Sequence, residues 1–351
     1  MLLLLLLFIP LVIPFALKVW LKWTYTWLEL ALHVLIVLII VSSRYALSKY
    51  SDKRDVEILN GYVTKKKMER VRCSHSYRCN CYTTCTGSGS YRSCSTYCST
   101  CYEHSFDQDW NVYTTVGSLK ISRVDRRGMN EPPRWSSVQI NEPASRTSWY
   151  TNYIKAAPDS LFNFTKAQEE IALPAYPRVF DYYRYNRVIN NSVLPSSFVK
   201  RLNTLLNTEL KSLGSAKQVN IIIVLVKENG EEYANALRSL WKGGKKNDVV
   251  VVAQVNEDEV VWANSFGWSK DDLVFVKIRD NLLALPSMTP ESFQKAITRP
   301  IQSNYVRIPM EEFEYLKDEI SPSLWLIVSL FIFGCTLSCG LGFFFHHNEV
   351  V

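Results

Sequence analysis

The chain has 351 residues, which is enough for two ordinary domains or for one domain with membrane segments. Charged residues make up 21% of the sequence and apolar residues 47%, which excludes a disordered chain, and the 13 glycines and 14 prolines are too few for a collagen-like one. The formal net charge of +7 belongs to residues 44–160, which carry 18 Lys and Arg against 11 Asp and Glu, whereas residues 161–322 carry 20 of each.

Three apolar segments predict membrane-spanning helices at the two ends of the chain. Residues 2–17 and 28–43 are the first two, with a cluster of aromatic residues between them, and residues 324–345 are the third. We predict an N-terminal transmembrane hairpin over residues 1–43 and a C-terminal transmembrane helix over residues 323–345. The alternative for the first segment is a cleaved secretory signal, but no basic residue precedes its leucines, which favours the hairpin.

The orientation of the region between the spans depends on opposing signals. With three spans, all of residues 44–322 lie on one side of the membrane. Four cations directly after the second span favour the cytoplasm under the positive-inside rule: Arg44, Lys49, Lys53 and Arg54. Lys18 and Lys22 in the short turn favour export, as does the cysteine content described next. We predict a multi-pass membrane protein whose residues 44–322 are extracytoplasmic.

Seven cysteines fall within 29 residues that contain almost no aliphatic side chains: Cys73, Cys79, Cys81, Cys85, Cys94, Cys98 and Cys101. Such a stretch cannot build an apolar core, so covalent or metal links must hold it. One interpretation is three disulfides in an oxidising compartment with one thiol left over. The other is zinc, because several spacings suit ligand pairs and His75 and His104 lie nearby. We predict disulfides and keep zinc as the alternative.

The residues around this block predict a small β-rich module over residues 44–150. Strand-like runs occur at residues 56–64, which contain an Asn-Gly turn signal, at 110–121 and at 134–140. The tyrosine-rich residues 151–194 are predicted to be a connector, and residues 301–322 are predicted to connect the next domain to the last span.

Helix and strand patterns alternate over residues 195–300. The predicted elements are a helix from Ser196 closed by Gly214, a strand at 219–226, a helix at 231–241, strands at 248–255, 259–263 and 273–278, and a short helix at 290–297. Continuous β-branched runs indicate strands covered on both faces, so we predict an α/β sandwich with a mostly parallel sheet. The fold class is therefore an α+β membrane protein with transmembrane helices at both ends, a β-rich cysteine-containing module and an α/β sandwich domain.

The order of these motifs resembles the TPM domain over residues 195–300. The matching segments are Tyr233-Ala234-Asn235, Trp241 to Asp248, Val249 to Val255, Asn256 to Glu259 and Asn264 to Gly267. TPM proteins are typically exported and carry a membrane helix after the domain, so the resemblance implies export of this region. The N-terminal hairpin and the cysteine block depart from the usual layout of the family. The whole chain also looks like uncharacterised membrane proteins of tailed bacteriophages.

The TPM resemblance also implies a candidate cation site. Some family members bind calcium or are described as phosphatases, and the acids that could serve here are Asp248, Asp258, Asp271 and Asp272. Carboxylates clustered at strand ends can hold Ca²⁺, although acids are also ordinary turn residues. The sequence contains no Gly-rich phosphate loop, HExxH, nucleophile elbow or Rossmann fingerprint, so zinc and calcium are the cofactors to consider.

Three functions follow from these features. The first is a non-enzymatic, envelope-associated interaction or assembly factor whose partners are the lipid bilayer and another protein. Its basic half is either simply solvated or contacts anionic headgroups or an acidic polymer. The second is a membrane-bound, metal-dependent hydrolase of the phosphatase type. Nucleic-acid binding through residues 44–160 is the third and least favoured function, because a stacking surface needs interleaved basic and aromatic residues and only Arg184 and Arg187 in the tyrosine-rich segment hint at one.

Overall fold

The computed structural model describes residues 2–24, 26–87, 92–156, 171–318, 320 and 322–347. The chain divides into two compact units. The first unit consists of Met1–Val56, Trp149–Thr165 and Ile308–Val351, and the second consists of Glu57–Ser148 and Lys166–Arg307. The apolar helices belong to the first unit, and most of the β-structure belongs to the second.

Helices and strands both contribute to the described part of the chain. The helices are α1 (Leu2–Trp20), α2 (Trp27–Lys53), α3 (Pro133–Ser136), α4 (Tyr153–Ala156), α5 (Ser196–Lys217), α6 (Gly230–Leu240), α7 (Leu273–Leu283), α8 (Pro290–Asn304) and α9 (Leu324–His347), with a 3₁₀ helix at Met310–Asp318. The strands are β1 (Arg54–Val71), β2 (Ser76–Thr86), β3 (Ser93–Tyr102), β4 (Asp107–Thr114), β5 (Gly117–Ile121), β6 (Pro143–Thr151), β7 (Val188–Asn191), β8 (Asn220–Val226), β9 (Asp248–Val255) and β10 (Val260–Gly267). The mixed α and β content predicted from the sequence is confirmed.

The two ends of the chain form the predicted apolar helices. The helices α2 and α9 are long and apolar enough to cross a membrane by length and composition, and Leu6–Trp20 within α1 is a shorter apolar helix. A capping box at Thr26 and Glu29 begins α2, which continues past the apolar segment as far as Lys53.

The helices α1, α2 and α9 pack together around a buried apolar cluster: Leu6, Leu7, Val37, Val41 and Leu330. A polar contact accompanies this packing. Pro14 lies inside α1 and has no N–H to donate to the carbonyl of Pro10 four residues earlier. The hydroxyl of Ser338 on α9 donates to that carbonyl over 2.8 Å and lies 2.9 Å from Nε2 of His33 on α2. The three helices thereby satisfy a backbone group that a proline leaves without a partner.

The first sheet of the second unit has the strand order β5-β4-β1-β6. Its β1 is a single long strand, so the prediction of a turn at Asn60-Gly61 was wrong. A Cβ at Gly61 would lie 1.9 Å from Oγ1 of Thr115, so this glycine permits a close approach of the backbone rather than a turn. The predicted strand at 134–140 was also wrong, because the short helix α3 begins there at Pro133.

The second sheet has the order β10-β9-β8-β7, in which β7, β8 and β9 are parallel and β10 is antiparallel to β9. Residues of α5, α7 and α8 cover one face, and residues of α6 cover the other. The predicted sandwich around a mostly parallel sheet is therefore present. Its centre is β8 and β9, in which nearly every side chain is buried.

Three details of this domain differ from the sequence prediction. The predicted strand at 273–278 is the helix α7, in which Val274, Ile278 and Leu282 are buried at a spacing of four residues. Gly214 does not end α5, which continues to Lys217. A Cβ at Gly214 would lie 2.6 Å from Cβ of Asn60, so this glycine lets α5 approach β1. The short strand β7 lies in the segment that was predicted to be a connector.

Candidate functional site

The cysteine block forms an antiparallel hairpin of β2 and β3 that is joined by three disulfides. The bonds are Cys79–Cys101, Cys81–Cys98 and Cys85–Cys94. Cys73 is left as a buried free thiol. The disulfide interpretation of the block is therefore confirmed, including the one thiol left over. Zinc coordination by the cysteine block as a whole is not supported, because six of its seven sulfurs are bonded to each other in disulfides.

The hairpin exposes most of its side chains, including three tyrosines. Tyr77 is 52% exposed, Tyr82 64% and Tyr97 56%. The rings of Tyr82 and Tyr97 stack across the two strands with centroids 5.7 Å apart. Exposed tyrosines on a rigid support suit protein recognition, because each provides contact area and a hydroxyl at a small cost in side-chain entropy.

Replacing Cys81 and Cys98 with serine is expected to loosen the hairpin without unfolding the α/β domain. The bond closes a loop of 17 residues that the other two disulfides also restrict, so its loss costs less than the ~3 kcal/mol of an isolated loop of this size. The strands have no fully buried side chain to compensate for it. Amide hydrogen exchange should accelerate in β2 and β3 and stay unchanged in β8. The control is Cys339→Ser, which removes an exposed free thiol. Unchanged exchange in the hairpin would contradict this expectation.

The root of the hairpin brings together three ligand-type side chains. One ligand atom from each of Cys73, His75 and Asp107 lies within 4.8 Å of the other two, and Cys73 and Asp107 are buried. Cys73 and His75 lie in the link between β1 and β2, and Asp107 is the first residue of β4. His104, which the sequence pattern also suggested, is not part of this cluster.

Asp107 is held in its charged form by its neighbours. Its Oδ2 accepts hydrogen bonds from the backbone N–H and the hydroxyl of Ser74, each at 2.9 Å, and from Arg123 at 2.7 Å. The backbone N–H of Ser74 makes the largest contribution to holding the pKa of Asp107 well below its usual range, and Arg123 adds to it. Its other oxygen, Oδ1, is buried and has no hydrogen-bond partner. The sequence pattern did not single out Asp107, because it lies 32 residues beyond His75.

A buried arginine is the centre of a polar network between the β-module and the α/β domain. Arg187 is 1% exposed, and its guanidinium donates to side-chain oxygens on four elements: Asn60, Ser145, Asn207 and Asn220. Burial lowers the pKa of Arg187 to about 10, so it remains protonated at neutral pH. The one sign of this network in the sequence is an arginine within a tyrosine-rich segment. Its polar partners indicate a structural role.

Asp248 begins β9 and is fully buried. Its carboxylate accepts hydrogen bonds from Tyr176, from the amide of Asn220 at 2.8 Å and from the backbone N–H of Lys245 at 2.7 Å. Burial raises the pKa of Asp248 to about 6, against the opposing effect of these hydrogen bonds.

The other three acids of the predicted calcium site lie in ordinary structural positions. Asp258 is exposed in the turn before β10, Asp271 accepts hydrogen bonds from Leu273 N–H and Asn304, and Asp272 precedes α7. Among the residues that the structure describes, only Cys73, His75 and Asp107 form a cluster of three or more metal-ligand side chains. The calcium site stays a prediction that no cluster supports.

Asp248 is expected to make the stability of the second unit depend on pH. An acid whose folded pKa exceeds its unfolded value of 3.8 destabilises the fold once it ionises, so this penalty is absent below pH 4, grows between pH 4 and 6 and is complete above pH 6. A shift of this size corresponds to about 3 kcal/mol. The unfolding free energy of wild type minus that of Asp248→Asn should therefore fall by about that amount from pH 4 to pH 7, because only the wild type has an acid that ionises. Denaturant titrations at both pH values measure it, and a constant difference would contradict the assignment.

Comparison of the chain with protein-family models, with curated proteins and with solved structures gave no match. The two most distinctive features of the chain are the disulfide-bonded hairpin and the apolar helices at both ends.

Proposed function

We propose that this protein is a membrane-anchored, non-enzymatic interaction or assembly factor that uses the β2–β3 hairpin to contact a protein partner outside the cytoplasm. The observation that carries the proposal is the row of three disulfides across an exposed hairpin, in a chain with candidate membrane-spanning helices at both ends.

The disulfides support export, because such bonds form and persist in oxidising compartments and are rare in the cytosol. We propose a multi-pass topology in which α1, α2 and α9 cross or enter the bilayer and residues 44–322 are extracytoplasmic. The cations Arg44, Lys49, Lys53 and Arg54 oppose this orientation. Long hydrophilic regions can nevertheless translocate largely regardless of their charge.

In this proposal the α/β domain supports the hairpin and carries no catalytic site. We propose that residues 195–300 are a TPM-like domain, as the order of their motifs suggests. We also propose that the protein is associated with a cell envelope, in keeping with the resemblance of the whole chain to membrane proteins of tailed bacteriophages. The hydrolase alternative has less support. It needs several carboxylates that converge on one cation, whereas both oxygens of Asp248 already accept hydrogen bonds from protein donors.

The hairpin is the proposed contact surface because its exposed tyrosines have a rigid, disulfide-bonded support. No side chain of β2 or β3 is fully buried, so these strands contribute little to an apolar core and depend on the three disulfides. A segment that is held rigid and yet left exposed is suited to binding, because the partner does not have to order it.

A photo-crosslinking residue at position 82 in the native membrane tests this proposal. We expect a discrete adduct with one protein partner, and we expect Tyr97→Ala to weaken it, because it removes the exposed ring that lies next to position 82 across the two strands. The matched control carries the crosslinker at Val261, an exposed position on the edge strand β10. Adducts of equal yield from both positions, or none from position 82, would contradict the proposal.

A further inference from the structure

The geometry points to a binding site for a divalent transition-metal ion, best matched by Zn²⁺, at the root of the hairpin. The ligands are Sγ of Cys73, a ring nitrogen of His75 and a carboxylate oxygen of Asp107. We assign Oδ1 as that oxygen, because Oδ2 already accepts three hydrogen bonds. The disulfides rule out zinc coordination by the cysteine block as a whole. The site proposed here is a different one, because it uses the one free thiol of the block together with His75 and with an aspartate outside the block. It requires neither a partner nor a particular orientation in the membrane, so it is independent of the proposed function.

The spacing of the three ligand atoms is close to that of a tetrahedral site. In tetrahedral zinc coordination, neighbouring ligand atoms are about 3.3–3.6 Å apart. The three atoms here lie within 4.8 Å of one another, so closing the site takes about 1 Å of movement. His75 is only partly buried, so its ring has room to rotate and an ion has a path from solvent. Three protein ligands leave one coordination position for water.

The unpartnered oxygen of Asp107 is a second, independent sign of a ligand. Asp107 is 0% exposed, and its Oδ1 accepts no hydrogen bond, although Oδ2 accepts three. Buried carboxylate oxygens without a partner are rare and costly in native proteins. A cation between Oδ1, Cys73 and His75 supplies the missing interaction. The hydrogen bonds to Oδ2 then act as outer contacts that orient the ligand.

The surrounding charges are compatible with a bound cation. The positive charge of Arg123 lies close to Asp107 and repels a metal ion bound there. Arg123 also forms an ion pair with Asp109 at 2.6 Å, which offsets part of this repulsion. Lys120 pairs with the other oxygen of Asp109 at 2.5 Å, so two aspartates balance two basic side chains. The thiolate of Cys73 then remains to offset part of the charge of the ion. A thiolate with an imidazole selects zinc-like ions over Ca²⁺ and Mg²⁺, which require oxygen ligands.

The consequence of binding is a clamp at the base of the hairpin. Cys73 and His75 belong to the strand link that enters the hairpin, and Asp107 belongs to the strand that follows it. An ion held by all three therefore ties the two ends of the hairpin together. Because the ion binds the folded site more tightly than the unfolded chain, it stabilises this part of the fold by an amount that grows with the logarithm of the free metal concentration above the dissociation constant.

The test uses the full-length chain in detergent with its disulfides intact. After equilibration with Zn²⁺ and removal of free metal, elemental analysis should find about one zinc per chain. Replacement by Co²⁺ should give a thiolate-to-cobalt charge-transfer band in the near ultraviolet. The variants Cys73→Ser and His75→Gln should each bind at least about 10-fold more weakly and Cys73→Ser should lose the band. The near-ultraviolet circular dichroism of both variants reports whether they fold. If Cys73→Ser does not fold, His75→Gln tests the proposal instead, because His75 is partly exposed and its replacement disturbs the packing less.

The matched control is His104→Gln, which changes a nearby histidine outside the cluster and should keep both the zinc and the cobalt band. The proposal is overturned if wild type retains no zinc at micromolar free metal, or if Cys73→Ser and His75→Gln retain as much as wild type. It is also overturned if His104→Gln loses the metal as they do, or if Ca²⁺ displaces Zn²⁺ at equal concentration.

Discussion

Replacing Val250 with aspartate is expected to unfold the α/β domain. Val250 is fully buried in β9, between β8 and β10, and packs with Ile222, Val224 and Tyr233 against the α6 face of the sheet. A carboxylate at this position is surrounded by apolar side chains. Leaving it without a partner costs about 4 kcal/mol or more, a large part of the 5–15 kcal/mol that stabilises a typical domain.

Circular dichroism and chemical denaturation of the purified full-length chain measure this effect. The control is Val261→Asp, the same change at a position that is 51% exposed on the edge strand β10, and it should alter the unfolding free energy by less than about 1 kcal/mol. A soluble Val250→Asp variant with wild-type stability would show that β9 is not a central buried strand.

Replacing Arg187 with methionine is expected to destabilise the second unit by about 2–4 kcal/mol, because several buried hydrogen bonds from a charged donor are lost while the desolvation cost of that charge is relieved. Methionine retains much of the apolar volume of arginine but donates no hydrogen bond. The side-chain oxygens of Asn60, Asn207 and Asn220, which accept from the guanidinium over 2.5–2.8 Å, then lose their charged donor inside the protein. Asn60 and Asn220 keep one neutral donor each, from Ser145 and Asn60. Asn207 instead loses the donor of its partly buried oxygen and carries the cost of its desolvation.

The matched control is Arg184→Met. Arg184 is 47% exposed, and its ion pairs with Asp181 and Glu142 are 3.4 and 3.6 Å long, so its loss should cost less than about 1 kcal/mol. Urea denaturation of both variants measures the difference between them. Equal stability of the two variants would mean that the network around Arg187 does not hold the β-module to the α/β domain.

The sequence predicted the elements whose pattern is local and long. The runs that became β8 and β9 are continuous and β-branched, and the helices α5 and α6 have clear apolar stripes. The helix α7 was predicted to be a strand because its first residues, Leu273 to Val276, are a continuous apolar run of the kind that a buried strand also has. The four-residue spacing of its buried side chains becomes visible only when the window reaches Leu282.

Contacts between distant residues were the part that the sequence could not predict. The Asn-Gly pair at 60–61 usually marks a turn, but Gly61 is required here because Thr115 approaches the backbone of β1. Gly214 similarly accommodates Asn60 rather than closing a helix. In both places the determining neighbour lies more than 50 residues away.

The candidate site was predicted only in part for the same reason. A core-poor stretch with seven cysteines indicated disulfides, but seven cysteines allow many pairings and spacing does not choose among them. The grouping of Cys73 and His75 with Asp107 depends on the pairing of Val71 with Asp107 where β1 meets β4. The partners of Arg187 come from four elements, and no local pattern brings them together.

Thiol labelling of the chain in native membranes tests the central claim, an exported and disulfide-bonded hairpin, most directly. The membranes are isolated in the presence of a thiol-alkylating reagent, which stays present while they are denatured without reductant and with a metal chelator. The modified cysteines are then mapped by mass spectrometry. Cys335 and Cys339 serve as internal positive controls, because both are free. We expect Cys73 to be the one modified residue among the seven cysteines of the block. Modification of six or seven of them would contradict the disulfides and the export of residues 44–322 together.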